Sequence, residues 1–346
     1  MGLNGGKIAA VLFISLIVIV AGMALGSVNI PMIDVVAIIG NRIMSINMPP
    51  HIEPSAEAIV WSVRMPRVAL AFLAGAALSI SGVIMQSVLR NPLASSYTLG
   101  VSSGASLGAG LVIFLGFALP FAPGLTIPIV GFVFGLATIL AVVSMAENLD
   151  RRNNNITIIL VGMILSLFIN AITTLLFALF GENAERMVFW QMGSFAMQGW
   201  DTVLILAPVC ILGLLLVRRG AMELDMLTFG EEQAEAMGVS VQRVKKVMFI
   251  GAAALTGATI SFVGIVGFVD LVSPHIVRRI FGASHALVLP MSALVGGSFM
   301  VACDLVARTI LSPIELPVGA VTAMLGAPFF AYIYYTNGRQ GRKMST

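Results

Sequence analysis

Ionisable side chains are scarce in this 346-residue chain, and their placement limits the chemistry open to it. The densest group lies between Arg218 and Lys246, where R-R-G-A-M-E-L-D-M-L-T-F-G-E-E-Q-A-E-A-M-G-V-S-V-Q-R-V-K-K carries ten charged side chains between two long apolar runs. Elsewhere the sets needed for catalysis are missing. His51, His275 and His285 are scattered, and Cys210 and Cys303 sit in apolar runs without metal-ligand spacing, so they read as buried thiols. No G-x-x-x-x-G-K-[ST] loop occurs, so nucleotide hydrolysis is not expected of this chain. No Ser-His-Asp arrangement suggests itself either. What remains is transport, with one compact polar element held out to a partner.

The elements that must position these residues are membrane helices. Hydrophobic residues make up 58% and charged residues 10%, and mean hydropathy is +1.01, values foreign to a soluble domain of this length. Runs of about 20 apolar residues suffice to cross a bilayer. They fall at 8–27, 67–89, 101–118, 126–147, 156–180, 201–217, 246–265, 267–281, 286–308 and 317–336, which predicts an all-α membrane protein of about ten spans. The runs do not alternate, which excludes a transmembrane barrel. With a cytoplasmic N-terminus, Arg42, Arg64, Arg67, Arg186 and Arg308 lie outside and the other lysines and arginines inside. This places the 218–246 segment and both termini in the cytoplasm of a multi-pass cell-membrane protein. The net charge of +3 is then a topology signal and not a nucleic-acid footprint. Lys7 followed by Ile8–Leu25 also has the outline of a signal peptide, but its apolar core is long enough for a retained helix.

Small residues cluster at Ala74–Gly82, Gly100–Gly110 and Gly251–Ala258, as required where helix backbones approach closely in lipid. Gly75–Gly82 also echoes Gly251–Gly257, in spans of opposite direction, a pattern of inverted-repeat transporters. Between Val28 and Trp61, an apolar stretch from Met32 to Met44 among prolines predicts an interfacial helix. Gly181–Trp200, with Trp190 and Trp200, reads as an aromatic-anchored outer loop. Within the charged insert, Gly230 opens a short helix whose N-terminal end carries Glu231, Glu232 and Glu235, and Gly238 stops it.

Five ordered motifs then carry a resemblance over nearly the whole chain. They are Arg64-Met-Pro-Arg67, Asn91-Pro-Leu-Ala94 followed by Leu99-Gly-Val-Ser-Ser-Gly-Ala105, Gly230–Val239, Ser273-Pro-His-Ile-Val-Arg278, and Glu315–Phe329. Together they resemble the permease subunits of the iron–siderophore, haem and cobalamin importers of the ATP-binding-cassette class. The resemblance implies a single cobalamin-permease-like transmembrane domain over residues 1–346. It also implies a second permease copy or paralogue, ABC ATPase subunits below, and an extracytoplasmic substrate-binding protein above. ATP would be bound by the partner subunit, with no cofactor in this chain. The matching coupling residues are Gly230, Glu231, Glu232, Ala234, Glu235, Met237, Gly238 and Val239. The resemblance also implies that Arg64, Arg67 and Arg308 pair with carboxylates of the binding protein, although Arg308 also lies one turn from Asp304. By the same route Asn155 and Thr157, beside Arg151-Arg152-Asn153, are gate candidates.

The chain departs from the pattern at two places. Asp270 stands where Gly is usual, and either faces the pathway or bonds backbone freed by Pro274. Ser95-Ser96-Tyr97 replaces the frequent acidic–Pro pair. The rival reading is a self-contained ion-coupled secondary transporter, for which Asp270 and Asp304 are the available mid-membrane carboxylates.

Overall fold

The computed structural model describes residues 2–26, 28–150 and 154–343, with side chains described between Gly5 and Tyr332. Arg151, Arg152 and Asn153 lie outside the described residues. Every regular element described is helical: α1 (Gly2–Ala24), α2 (Met32–Met44), α3 (Pro54–Ala58), α4 (Met65–Val88), α5 (Val101–Leu115), α6 (Thr126–Leu149), α7 (Asn155–Leu179), α8 (Ala184–Met192), α9 (Trp200–Arg219), α10 (Ala221–Leu227), α11 (Glu231–Ala236), α12 (Val241–Val263), α13 (Val269–Phe281), α14 (His285–Thr309) and α15 (Val318–Lys343). A π-helical turn, Ile59–Arg64, joins α3 to α4.

Among the described residues seven helices are long and apolar enough to cross a membrane: α1, the continuous run Pro54–Val88, α6, α7, α9, α12 and α14. Of the remaining three expected spans, two form shorter helices and the third falls on α15. Gly116, at φ +66°, ends α5 after 15 residues, while α15 runs for 26 residues from Val318 to Lys343. The expected span 267–281 becomes the 13-residue α13, which covers about 20 Å at 1.5 Å per residue against a hydrocarbon core of about 30 Å.

The centre of the molecule is α4, packed against α14, α12, α13 and α9 and buried along nearly its whole length. Its small residues allow this. A Cβ on Gly75 would stand 2.2 Å from the Gly296 carbonyl, and one on Gly82 1.9 Å from the Asp270 carbonyl. The Gly100–Gly110 cluster does the same for α5 on α6, where a Cβ on Gly104 would meet Thr138 Oγ1 at 2.1 Å. In lipid, with no water to expel, such close van der Waals contact is the main attraction between helices. The two echoed stretches meet each other: Ser81 Oγ donates to the Ala252 carbonyl (3.1 Å), and Thr256 Oγ1 donates to Ser81 Oγ (2.7 Å).

The expected interfacial helix is α2, with Ile33, Val36 and Met44 exposed. Nearby, Trp200 Nε1 donates to the Trp61 carbonyl at 3.0 Å. At the other end, Lys7 Nζ donates to the Ile280 carbonyl at 2.8 Å, which sets the start of α1 beside the end of α13.

Replacing Gly296 by Val tests the close contact. A Cβ there would stand 1.7 Å from Ser79 Oγ and 2.7 Å from both the Gly75 carbonyl oxygen and Ser79 Cβ. The added branches therefore meet backbone as well as the Ser79 side chain and should cost the about 1–3 kcal/mol of overpacking. It should appear as a clearly lowered unfolding midpoint in detergent. An unchanged midpoint would mean that the α4–α14 spacing is looser than described.

Candidate functional site: a capped surface helix and the polar ties behind it

The charged insert folds into two short helices between α9 and α12. Leu224 and Leu227 of α10 are fully buried and seat the segment on the membrane domain. Gly230, at φ +124°, turns the chain into α11. The far end closes as a Schellman motif: Val239 N–H donates to the Ala234 carbonyl (3.0 Å), Gly238 N–H donates to the Glu235 carbonyl (2.9 Å), and Gly238 has φ +89°. Ala234 and Val239 face inward, while Glu232, Glu235, Phe229 and Met237 are exposed. Glu231 and Glu232 occupy the first turn as expected, but Glu235 sits in the last turn of a six-residue helix, so it does not complement the N-terminal dipole.

Behind this surface lies a residue that sequence reasoning passed over. Lys245 of α12 is buried, at 1% exposure, and its ammonium reaches Glu231 Oε1 (2.7 Å) and Asn155 Oδ1 (2.9 Å). Asn155 in turn donates through Nδ2 to the Val88 carbonyl (3.4 Å), at the last residue of α4. Thr157 is half-buried and two residues along α7, so it faces away from this tie. The structure does not bring the two gate candidates to one point. Close by, a cleft of about 310 Å³ lies between Arg90, Thr228, Arg278 and His285.

Deeper in, the two departures from the family pattern meet. Ser95 Oγ donates to the Asp270 carboxylate, which is buried at 2% exposure. Pro274 lacks the N–H that would close on the Asp270 carbonyl, and Gln86 Nε2 approaches that carbonyl instead, at 3.4 Å. The side chain of Asp270 therefore bonds Ser95 and the first N–H groups of its own helix, and not the backbone that Pro274 frees. Ser96 pairs with Ser81 (2.6 Å), and Tyr97 OH donates to the Val266 carbonyl. Three consecutive residues thus tie α13, α4 and the irregular Gly264–Phe268 link. Such backbone is tolerated at membrane depth where protein satisfies it.

At the opposite end from α11, the three expected docking arginines are not free. Arg64, Arg67 and Arg308 are 4%, 9% and 8% exposed. Arg64 donates to the carbonyls of Met23, Ala24 and Val28, and so caps the C-terminal end of α1. Arg67 makes charge-assisted bonds to both oxygens of Asp304 (2.9–3.2 Å) and to Glu315 (2.8 and 3.0 Å). Arg308 donates to the Gly22 carbonyl and approaches Asp304 at 3.5 Å, which realises the one-turn pair. Within the single chain the three guanidinium groups are already bonded: Asp304 and Glu315 return to the mouth of α4 to meet Arg67, and carbonyls near the end of α1 accept from Arg64 and Arg308.

Arg67→Met leaves Asp304, itself without exposure, short of its main counter-charge and should cost about 3–5 kcal/mol. Thermal unfolding in detergent reads this, and adding Asp304→Asn should recover part of the loss. Equal midpoints for wild type and the single variant would contradict the assignment.

Residues 13–336 match the FecCD transport family. An uncharacterized ABC transporter permease of Bacillus subtilis is 41% identical over 326 residues, covering 94% of this chain and 92% of its own. A hemin transport system permease of Yersinia pestis is 37% identical, with 79% and 82% covered. A solved structure of a metal-chelate type ABC transporter, described as inward-facing, superposes with a TM-score of 0.82 at 29% identity over 96% of this chain and 99% of that one. With a match across nearly its whole length, the chain belongs to the FecCD transport family and is an ABC transporter permease.

Proposed function

We propose that this chain is the membrane-spanning subunit of an ATP-driven importer that passes a bulky metal chelate into the cytoplasm. Iron–siderophore complexes are the first substrate class, with haem and cobalamin next. Two permease subunits, identical or paralogous, frame the pathway. Separate ATPase subunits bind and hydrolyse ATP at the α11 end, and an extracytoplasmic binding protein delivers substrate at the α2 end. The N- and C-termini lie in the cytoplasm. Transport requires that nucleotide and substrate each bind the inward- and outward-facing states unequally.

The observation that carries this reading is α11 itself. It is rigidly capped, buried on Ala234 and Val239, and yet exposes Phe229 and Met237 beside Glu232 and Glu235. Exposed apolar residues rimmed by charge, on a segment of fixed shape, suit a protein partner. The basic residues Arg90, Arg218, Arg219 and Lys246 at this end support its cytoplasmic placement. The secondary-transporter reading loses support because neither carboxylate it relies on is free: Asp270 is bonded by Ser95 and Asp304 by Arg67.

Docking of the binding protein through Arg64, Arg67 and Arg308 requires an exchange of partners. Arg67 is the most accessible route, since its partner Glu315 is 41% exposed and can be displaced by an incoming carboxylate.

The test leaves Glu231 untouched. Glu232→Arg with Glu235→Arg should abolish co-purification of a co-expressed ABC ATPase from the same organism while the permease keeps its unfolding midpoint. If wild type binds no such ATPase, the power source is removed and the proposal fails.

A further inference from the structure

The insert holds three basic residues near the start of α12, and they differ sharply in surroundings. Arg243 is exposed, and Lys246 is exposed and faces Glu147 at 3.8 Å, the geometry of a weak surface pair. Lys245 points into the protein. Its ammonium lies between the first residue of α11 and the first residue of α7, and Asn155 extends the contact to the last carbonyl of α4. α11 and α7 therefore meet at one buried charged group of α12, and Asn155 links that point to α4.

A buried ammonium is costly unless its bonds are kept. If α11 moves, Glu231 must either carry Lys245 with it or stretch a 2.7 Å pair to a buried ammonium. Glu231 remains 28% exposed on its side chain, so it can respond to a protein bound at the surface. Asn155, in contrast, begins a long membrane helix. A displacement at the surface thus has a short, stiff polar path to the start of α7.

We infer that Lys245 is a positioning residue that transmits movement of the ATPase-facing helix α11 to the cytoplasmic end of α7, through Glu231 on one side and Asn155 on the other. The inference rests on the reading of α11 as the ATPase contact. It adds to that reading the specific link by which hydrolysis reaches the membrane helices.

The test measures ATP hydrolysis and uptake together in liposomes containing the full permease, its ATPase and its binding protein. The transported probe is whichever of ferric siderophore, haemin and cobalamin the wild-type complex accumulates. Lys245→Met should still assemble and hydrolyse ATP, but uptake per ATP should fall about tenfold, in the range of an ordinary coupling free energy. Asn155→Ala leaves the Lys245–Glu231 pair in place and should uncouple in the same direction, so a folding failure of the lysine variant does not end the test. The exchange Glu231→Lys with Lys245→Glu should restore part of the ratio, since the Asn155 amide can also donate to a carboxylate. An unchanged uptake-to-hydrolysis ratio in Asn155→Ala, or in an assembled Lys245→Met complex, overturns the inference.

A second measurement separates this failure from failure of the permease reading. In the isolated full-length permease, hydrogen exchange at residues 154–158 should rise in Lys245→Met relative to wild type. If wild type shows no ATP-dependent uptake, the importer assignment falls. The exchange data then still decide whether Lys245 holds the start of α7, and equal exchange in the two proteins rejects the tie.

Discussion

The structure depends on how closely helices can approach α4. Two glycines on that helix, Gly75 and Gly82, bring it against backbone carbonyls of α14 and α13 at distances that no other residue could allow. Once these backbones touch, hydroxyls and amides complete the contact: Ser81 with Ala252, Thr256 and Ser96, and Gln86 with the Asp270 carbonyl. The same packing allows irregular backbone at Asn91–Gly100 and Gly264–Phe268 inside a membrane protein, since each exposed amide can be met from a neighbour. A rigid centre of this kind lets short elements at either end act on the whole.

Charge is handled in opposite ways at those two ends. At the α2 end, Arg64 and Arg308 take up carbonyls at the end of α1, and Arg67 bridges Asp304 and Glu315, so the cationic groups fasten the chain to itself. At the α11 end one cation, Lys245, is buried while the carboxylates of Glu232 and Glu235 remain at the surface. The first arrangement is closed, with Glu315 as its accessible edge. The second presents a shaped, acidic and partly apolar surface backed by a buried polar tie.

Much of this was legible in the residues themselves. The helix Met32–Met44 follows from an apolar run bounded by prolines. The limits of α11 follow from Gly230 and Gly238, whose positive φ angles suit glycine best. The small-residue faces were visible as clusters. What could not be read was pairing over long separations. Arg67 meets residues 237 and 248 positions away, and Ser95 meets Asp270 across 175. Each partner stood out or not by its own type, but nothing local announces the contact. Lys245 was hidden for a related reason: in V-Q-R-V-K-K it looks like one more topology-setting cation, and burial alone separates it from Lys246. Hydropathy also placed the break between 246–265 and 267–281, where the Gly264–Phe268 link separates α12 from α13, but it did not show how short α5 and α13 are.

The central claim is that α11 is the surface on which the ATPase sits. Cys210 and Cys303 are both buried, so a cysteine placed at Glu232 should be the main accessible thiol for site-directed cross-linking in membranes that contain the whole transporter. The account predicts a cross-link from position 232 to the ATPase that changes in yield with nucleotide, and none from a cysteine at Val36 on α2. Absence of any ATPase cross-link at 232, or an equal one at 36, would contradict it.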